Sequence, residues 1–223
     1  MSHLGSIGGT SIDIDRWFLI VAGLWVLNDL QQQDHDLKHA LLWVPVLFLG
    51  VLIHELAHAA MFAIFGYGAS AIVLNGMGGV TMNNNRAKPW HDVIISIAGP
   101  AASFIFAIGV LFLYQGFPAI RRDAMLVQLV PLLYFANFAW GIFNLIPVSP
   151  LDGGHATRSF LRIFLRERTA FIVAVWIAIV AGTAVVIYGL VIREIFIAVL
   201  LAWYVWLNFQ QWQYFRTNGY PGD

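Results

Sequence analysis

The chain has 223 residues, 60% of them hydrophobic and 11% charged, with 12 basic and 12 acidic residues. Soluble domains carry about a quarter charged residues, so this composition excludes an ordinary soluble domain and points to a chain solvated by lipid. A net charge of zero excludes the clustered basic excess of a nucleic-acid binder, and the absence of cysteine excludes disulfides, thiolate metal sites and a cysteine nucleophile.

Residues 1–15 are polar and glycine-rich, without a basic n-region, and no small-residue cleavage site follows the first apolar run. They do not read as a secretory signal, and that run is expected to stay as a membrane span. A span needs about 20 mostly apolar residues to cross about 30 Å of hydrocarbon, and six stretches are candidates. The first, 17–30, is short and ends in the polar stretch 28–38, so it is expected to tilt little or to sit partly at the interface. The second covers 39–65. Residues 68–82 follow, where β-branched residues and closely spaced glycines predict two strands joined by a turn. The third span covers 93–117 and the fourth 124–146. Residues 144–154 read Asn-Leu-Ile-Pro-Val-Ser-Pro-Leu-Asp-Gly-Gly, which forbids a continuous helix. Irregular backbone at membrane depth must be buried in protein or line a wet cavity, so this break points to function. The run Arg158, Arg162, Arg166, Arg168 has helical spacing and reads as an interfacial helix touching anionic head groups. The fifth span, 169–192, and the sixth, 195–215, are separated by little more than Arg193 and Glu194.

With six spans and the N-terminus inside, Arg16, Arg86, Lys88, Arg158, Arg162, Arg166, Arg168 and Arg216 fall on the inner side. Lys38, Arg121, Arg122 and Arg193 fall on the outer side. That asymmetry predicts both termini in the cytoplasm. The expected fold class is an all-α membrane protein with about six transmembrane helices and a small membrane-embedded β-hairpin.

The second span carries His54-Glu55-Leu56-Ala57-His58. Residues four apart share a helix face, so both imidazoles reach one metal ion, with Glu55 beside it to take a proton from bound water. His54 lies roughly 16 Å from the end of the span at 1.5 Å per residue, about halfway into the hydrocarbon. Ionisable residues at that depth are costly and mark function. A catalytic zinc site needs a third protein ligand. Asp13 and Asp15 precede the first span; Asp34, Asp36 and Asp123 fall in loops; Glu167 and Glu194 fall in polar connections. His91 and Asp92 start the third span among polar residues. Asp152 alone sits in an apolar, helix-broken stretch, and is the expected third ligand. The alternative is that it caps a helix beginning near His155.

The pair of motifs, His54-Glu55-x-x-His58 and Asn144-x-x-Pro147-x-x-Pro150-x-Asp152-Gly153, resembles the signature of the site-2 protease family of intramembrane zinc metalloproteases. Gly78-Gly79-Val80 and Ile97-Ala98-Gly99-Pro100 resemble further pieces of that family, and the resemblance covers about residues 10–165. It implies one zinc ion per chain, a three-span core with the metal between the second and fourth spans, and cleavage of membrane-spanning protein substrates, usually near the cytoplasmic side of a cell membrane. The chain resembles the minimal form of the family, without PDZ or CBS modules, so regulation by such modules is expected to be absent or supplied by a membrane partner. The whole chain, 1–223, is then expected to be one metalloprotease domain, with a catalytic core at about 39–155 and flanking spans at about 17–30, 169–192 and 195–215.

By the same resemblance, Asn144 or Asn137 would hydrogen-bond the substrate carbonyl as its oxyanion forms; the alternative is an interhelical hydrogen bond. The segment 72–81, with Gly78 and Gly79, would pair with an unwound substrate strand. Asn75, Thr81 and Asn83 are candidates to line a water path. His155 reads as interfacial, as do His3, His35 and His39. Gly99, Ser103 and Ala107 form a small-residue packing stripe, and tryptophans such as Trp17, Trp43, Trp90 and Trp212 fit interfacial belts. A catalytically silent relative that binds membrane helices without cutting them is the competing reading.

Overall fold

The computed structural model describes residues 1–31 and 36–219; Asp34 and His35 lie outside the described residues. The chain divides into two compact units. One comprises Met1–Arg86 with Ala98–Gly141, the other Ala87–Ile97 with Ile142–Asp223.

The first unit begins with β1 (Ser2–Ile7) and β2 (Thr10–Ile14), followed by α1 (Arg16–Leu30), α2 (Leu37–Leu41), α3 (Trp43–Ile64), β3 (Ala71–Asn75) and β4 (Gly78–Met82). The expected hairpin is present as β3 and β4, but it is half of a four-stranded sheet of order β1-β2-β3-β4. The β2–β3 pair is parallel and the other two pairs are antiparallel. Parallel strands need a long crossover, and α1, α2 and α3 supply it. Ile12 faces Ile72 and Ile14 faces Leu74 across that parallel pair. Ile12, Ile72 and Leu74 are buried with Phe18 of α1 and Val51 and Ala59 of α3, so one sheet face is seated on the helices. The strands at 2–14 were not anticipated from the sequence.

The first expected span falls short. Helix α1 has 15 residues, about 22 Å at 1.5 Å per residue, against about 30 Å of hydrocarbon. Its two ends explain the length. At the start, Asp15 N–H donates to the Leu74 carbonyl at 2.8 Å, and the Asp15 carboxylate caps Trp17 N–H at 2.9 Å. At the far end Asp29 is buried; His39 Nδ1 lies 2.8 Å from its Oδ2 and Trp43 Nε1 donates to its Oδ1 at 3.0 Å. The helix therefore runs from the sheet to the beginning of α3, and the sheet occupies the remaining length of α3.

Five helices among the described residues are long and apolar enough to cross a membrane: 37–64, Pro89–Gly116 (α4), Leu126–Asn144 (α6), Glu167–Val191 (α8) and Ile195–Asn218 (α9). They match the second to sixth expected spans within a few residues. Five such helices make the chain an integral multi-pass membrane protein. A short α5 (Pro118–Arg122) joins α4 to α6. In the first unit Val26, Trp43, Val46, Val110, Val130 and Leu133 form a second apolar cluster.

In the second unit, α7 (Asp152–Phe164) precedes the antiparallel neighbours α8 and α9. Val148, Leu151, Ala178, Leu201 and Tyr204 form its core. The arginine run expected at head groups begins in α7. Arg158 and Arg162 are drawn into an ionic cluster: Arg158 Nη2 bonds Glu167 Oε1 at 2.9 Å, and Arg162 Nε lies 2.8 Å from Glu167 Oε2. Ser159 Oγ donates to Asp92 Oδ2 at 2.5 Å. Charged groups in so apolar a unit are held by partners, while Phe160, Ile163 and Phe164 are exposed large hydrophobic side chains of α7.

Candidate metal centre

His54, Glu55 and His58 lie on consecutive turns of α3 and are all buried, at 2%, 5% and 6% exposure. The helical spacing brings the two imidazoles to one side, with ring centroids 4.9 Å apart. The neighbouring helix α4 is made to fit them. A Cβ at Gly99 would meet His58 Nε2 and would lie 2.6 Å from His54 Nε2, so both Nε2 atoms converge on a cradle that only glycine leaves open. One turn further on, the fully buried Ser103 places Oγ 3.0 Å from His54 Nδ1. A metal held by Nε2 would leave the proton on Nδ1, which would then donate to that hydroxyl and so fix tautomer and ring orientation.

Glu55 is held from the other side by β4. A Cβ at Gly79 would meet Glu55 Cγ and would lie 2.7 Å from its carboxylate. Thr81, two residues on and therefore on the same strand face, donates its hydroxyl toward Glu55 Oε2 at 2.8 Å and the Glu55 carbonyl at 3.0 Å. Gly78, at φ +118°, lies against the Trp140 ring. The glycine pair is thus demanded by two close approaches and one left-handed backbone.

Asp152 opens α7. Leu151 occupies the capping position without a side-chain hydrogen bond, and the helix begins at Asp152 rather than near His155, so Asp152 is its first residue and not its N-cap. The backbone before it is folded tightly: Val148 N–H donates to the Ile146 carbonyl at 2.7 Å and Leu151 N–H to the Val148 carbonyl at 2.9 Å. A Cβ at Gly153 would strike the Leu145 and Ile146 carbonyls, and one at Gly154 the Val148–Ser149 backbone. Those glycines let the Asn144–Leu151 turn lie flat on the first turn of α7. Asn208 of α9 donates to the Ser149 carbonyl at 2.6 Å.

His54, His58 and Asp152 each offer a ligand atom, and these atoms all lie within 4.8 Å of one another. Two imidazole nitrogens and one carboxylate, with a fourth position open, is a donor set that suits catalytic zinc, and the Gly99 cradle fits it. Of the other expected site residues, Asn144 is buried at the end of α6. Asn137 is fully buried, its Nδ2 donating to the Leu133 carbonyl at 2.8 Å. Its amide lies against Gly50, where a Cβ would come within 3.2 Å. His155 is exposed. In sequence, Ser103 reads only as a small packing residue and Thr81 as a water-path residue, and Asn208 is not singled out. A polar residue in an apolar span was the signal for Ser103 and Asn208.

Comparison with known proteins points to a family of zinc metalloproteases. The family model described as Peptidase M50B-like matches residues 17–149, and that of Peptidase family M50 matches residues 119–189. A zinc metalloprotease of Methanocaldococcus jannaschii is 30% identical over 94% of this chain and 59% of its own length. A candidate zinc metalloprotease of Synechocystis sp. is 27% identical over 92% of this chain and 58% of its own. The chain thus spans little more than half the length of these curated relatives. The structure of a site-2 protease from Methanocaldococcus jannaschii superposes with a TM-score of 0.65 at 26% identity, covering 94% of both chains. Zinc is the metal of these relatives, and the chain belongs to the M50 peptidases, the site-2 protease family of zinc metalloproteases.

Proposed function

We propose that the chain is an intramembrane metallopeptidase that hydrolyses peptide bonds within or beside the transmembrane segments of other membrane proteins. The observation that carries this reading is a group of two buried histidines and a half-buried aspartate, with a buried carboxylate between the histidines, midway along an apolar helix. His54, His58 and Asp152 hold the zinc ion, one per chain. A bound zinc ion acidifies water and polarises a carbonyl oxygen. Glu55 takes the proton from the attacking water and delivers it to the leaving amine. Burial keeps bulk water from competing for these groups and strengthens the interactions that Glu55 makes. Asn144 is the candidate donor to the developing oxyanion; for Asn137, the contacts with Leu133 and Gly50 favour a packing role.

The scissile carbonyl of a helical substrate is hydrogen-bonded within its helix, so that segment must unwind. Strand β4 is the edge of the sheet and borders Glu55, which supports pairing of the extended substrate with β4 at membrane depth. N-methylation of alternate amides beside the scissile bond then lowers kcat/KM; cleavage indifferent to N-methylation contradicts the pairing. The basic residues support an active site facing the cytoplasm of a cell membrane.

The test is incubation of purified protein with single-span substrates in detergent, with the cut mapped by mass spectrometry. A cut inside or within a few residues of the span, absent with Glu55→Gln, is expected. Cuts only in distant soluble segments, or equal cutting by the variant, contradict the proposal. No cutting of any substrate, with zinc bound, favours the silent helix-binding relative.

A further inference from the structure

We infer that Thr81 is a positioning residue for proton transfer: its hydroxyl, presented by β4, holds the Glu55 carboxylate in the orientation from which it takes and returns the proton. The inference rests on the reading of Glu55 as the base. A glutamate side chain turns about three bonds, and several rotamers are open to it even when its backbone is fixed. Here two features of one strand remove that freedom. The first is the close approach of Gly79, where a Cβ would lie 2.7 Å from the carboxylate, so the strand backbone lies flush against the side chain. The second is the Thr81 hydroxyl, 2.8 Å from Glu55 Oε2 and 3.0 Å from the Glu55 carbonyl.

The hydroxyl has one proton and two lone pairs, and Glu55 Oε2 and the Glu55 carbonyl both lie within bonding distance of it. Threonine is branched at Cβ and stiff at χ1, so the hydroxyl is held in place on the strand. The alternative is that Thr81 only fastens β4 to α3 through the backbone carbonyl.

The experiment compares Thr81→Val, which keeps the shape and loses the hydroxyl, with Thr81→Ser, which keeps the hydroxyl. Kinetics, zinc content and thermal unfolding of the metal-free protein are measured on each. Thr81→Val is expected to lower kcat on the order of tenfold, as a misplaced proton-transfer group does, with KM and zinc per chain unchanged, and Thr81→Ser to restore most of it. In the metal-free protein, Thr81→Val is expected to lower Tm in the wild-type background and by clearly less in a Glu55→Ala background, because the two side chains interact. A wild-type kcat for Thr81→Val, a Thr81→Ser as poor as the valine variant, lost zinc, or additive Tm shifts would each overturn the proposal. Glu55→Gln run alongside separates the two ideas. If that variant is inactive while Thr81→Val is unaffected, the Thr81 role alone is lost. If Glu55→Gln cleaves like the wild type, Glu55 is not the base and both fall.

Discussion

At the scale of single residues, the centre is built from side chains that leave no space and glycines that provide it. Gly99 is the sharpest case. Alanine there would push its methyl into both histidine Nε2 atoms, so Gly99→Ala is expected to abolish zinc binding while the protein still inserts in the membrane, read by metal analysis of purified protein. Ser103 acts more gently. Its hydroxyl only orients His54, and Ser103→Ala is expected to weaken zinc affinity by roughly 10–100-fold, the usual cost of losing such an outer partner. Competition with a graded series of chelators measures it, and an unchanged affinity would contradict the orienting role. Gly79→Ala presses on the carboxylate rather than on the histidines, and is expected to spare zinc and cost cleavage. For the same reason, bulk at Gly78 or Gly79 is a poor test of substrate pairing: it disturbs Trp140 or Glu55 directly.

At the scale of elements, α7 carries Asp152 at its first position and is held in place by ions. Glu167 joins Arg158 and Arg162, whose side chains are 33% and 13% exposed. Removing one partner of such a cluster leaves a part-buried charge unpaired, so Glu167→Gln is expected to cost about 2 kcal/mol, between the cost for exposed and fully buried pairs. A Tm unchanged within a degree would show that the cluster does not anchor the helix.

The helices were largely legible in the sequence, because apolar runs of span length carry one dominant signal. The histidine pair and Asp152 were legible for the converse reason, as ionisable residues where lipid makes them costly. Two elements were not read. Strands 2–7 and 10–14 lie in a polar, glycine-rich stretch, although Thr10-Ser11-Ile12-Asp13-Ile14 does alternate with strand period. Their pairing with β3 is a contact across the whole α1–α3 crossover, which local pattern does not encode. Helix α1 was taken for a span because composition does not reveal that its ends are fixed by Leu74 on one side and by His39 and Trp43 on the other. The roles of Ser103 and Thr81 are tertiary too: each acts on a histidine or glutamate distant in sequence.

At the scale of the whole molecule, a membrane topology is joined to a chemistry. The chain contains no cysteine, so single cysteines can be introduced without removing any native thiol. Cysteines at Arg86 and Arg168 are expected to react with a membrane-impermeant maleimide only after the cytoplasmic face is opened, and cysteines at Arg122 and Arg193 in intact cells. The reverse pattern would invert the proposed orientation.

The measurement that bears most directly on the central claim is zinc content and cleavage of one mapped substrate, determined together on purified wild type, Glu55→Gln and Asp152→Asn. The account predicts about one zinc per chain in the wild type and in Glu55→Gln, much less in Asp152→Asn, and cleavage by the wild type alone. Full zinc in Asp152→Asn would remove Asp152 from the metal centre, and cleavage by Glu55→Gln within tenfold of the wild type would remove Glu55 from the chemistry, since loss of a general base costs about 10²–10⁴-fold.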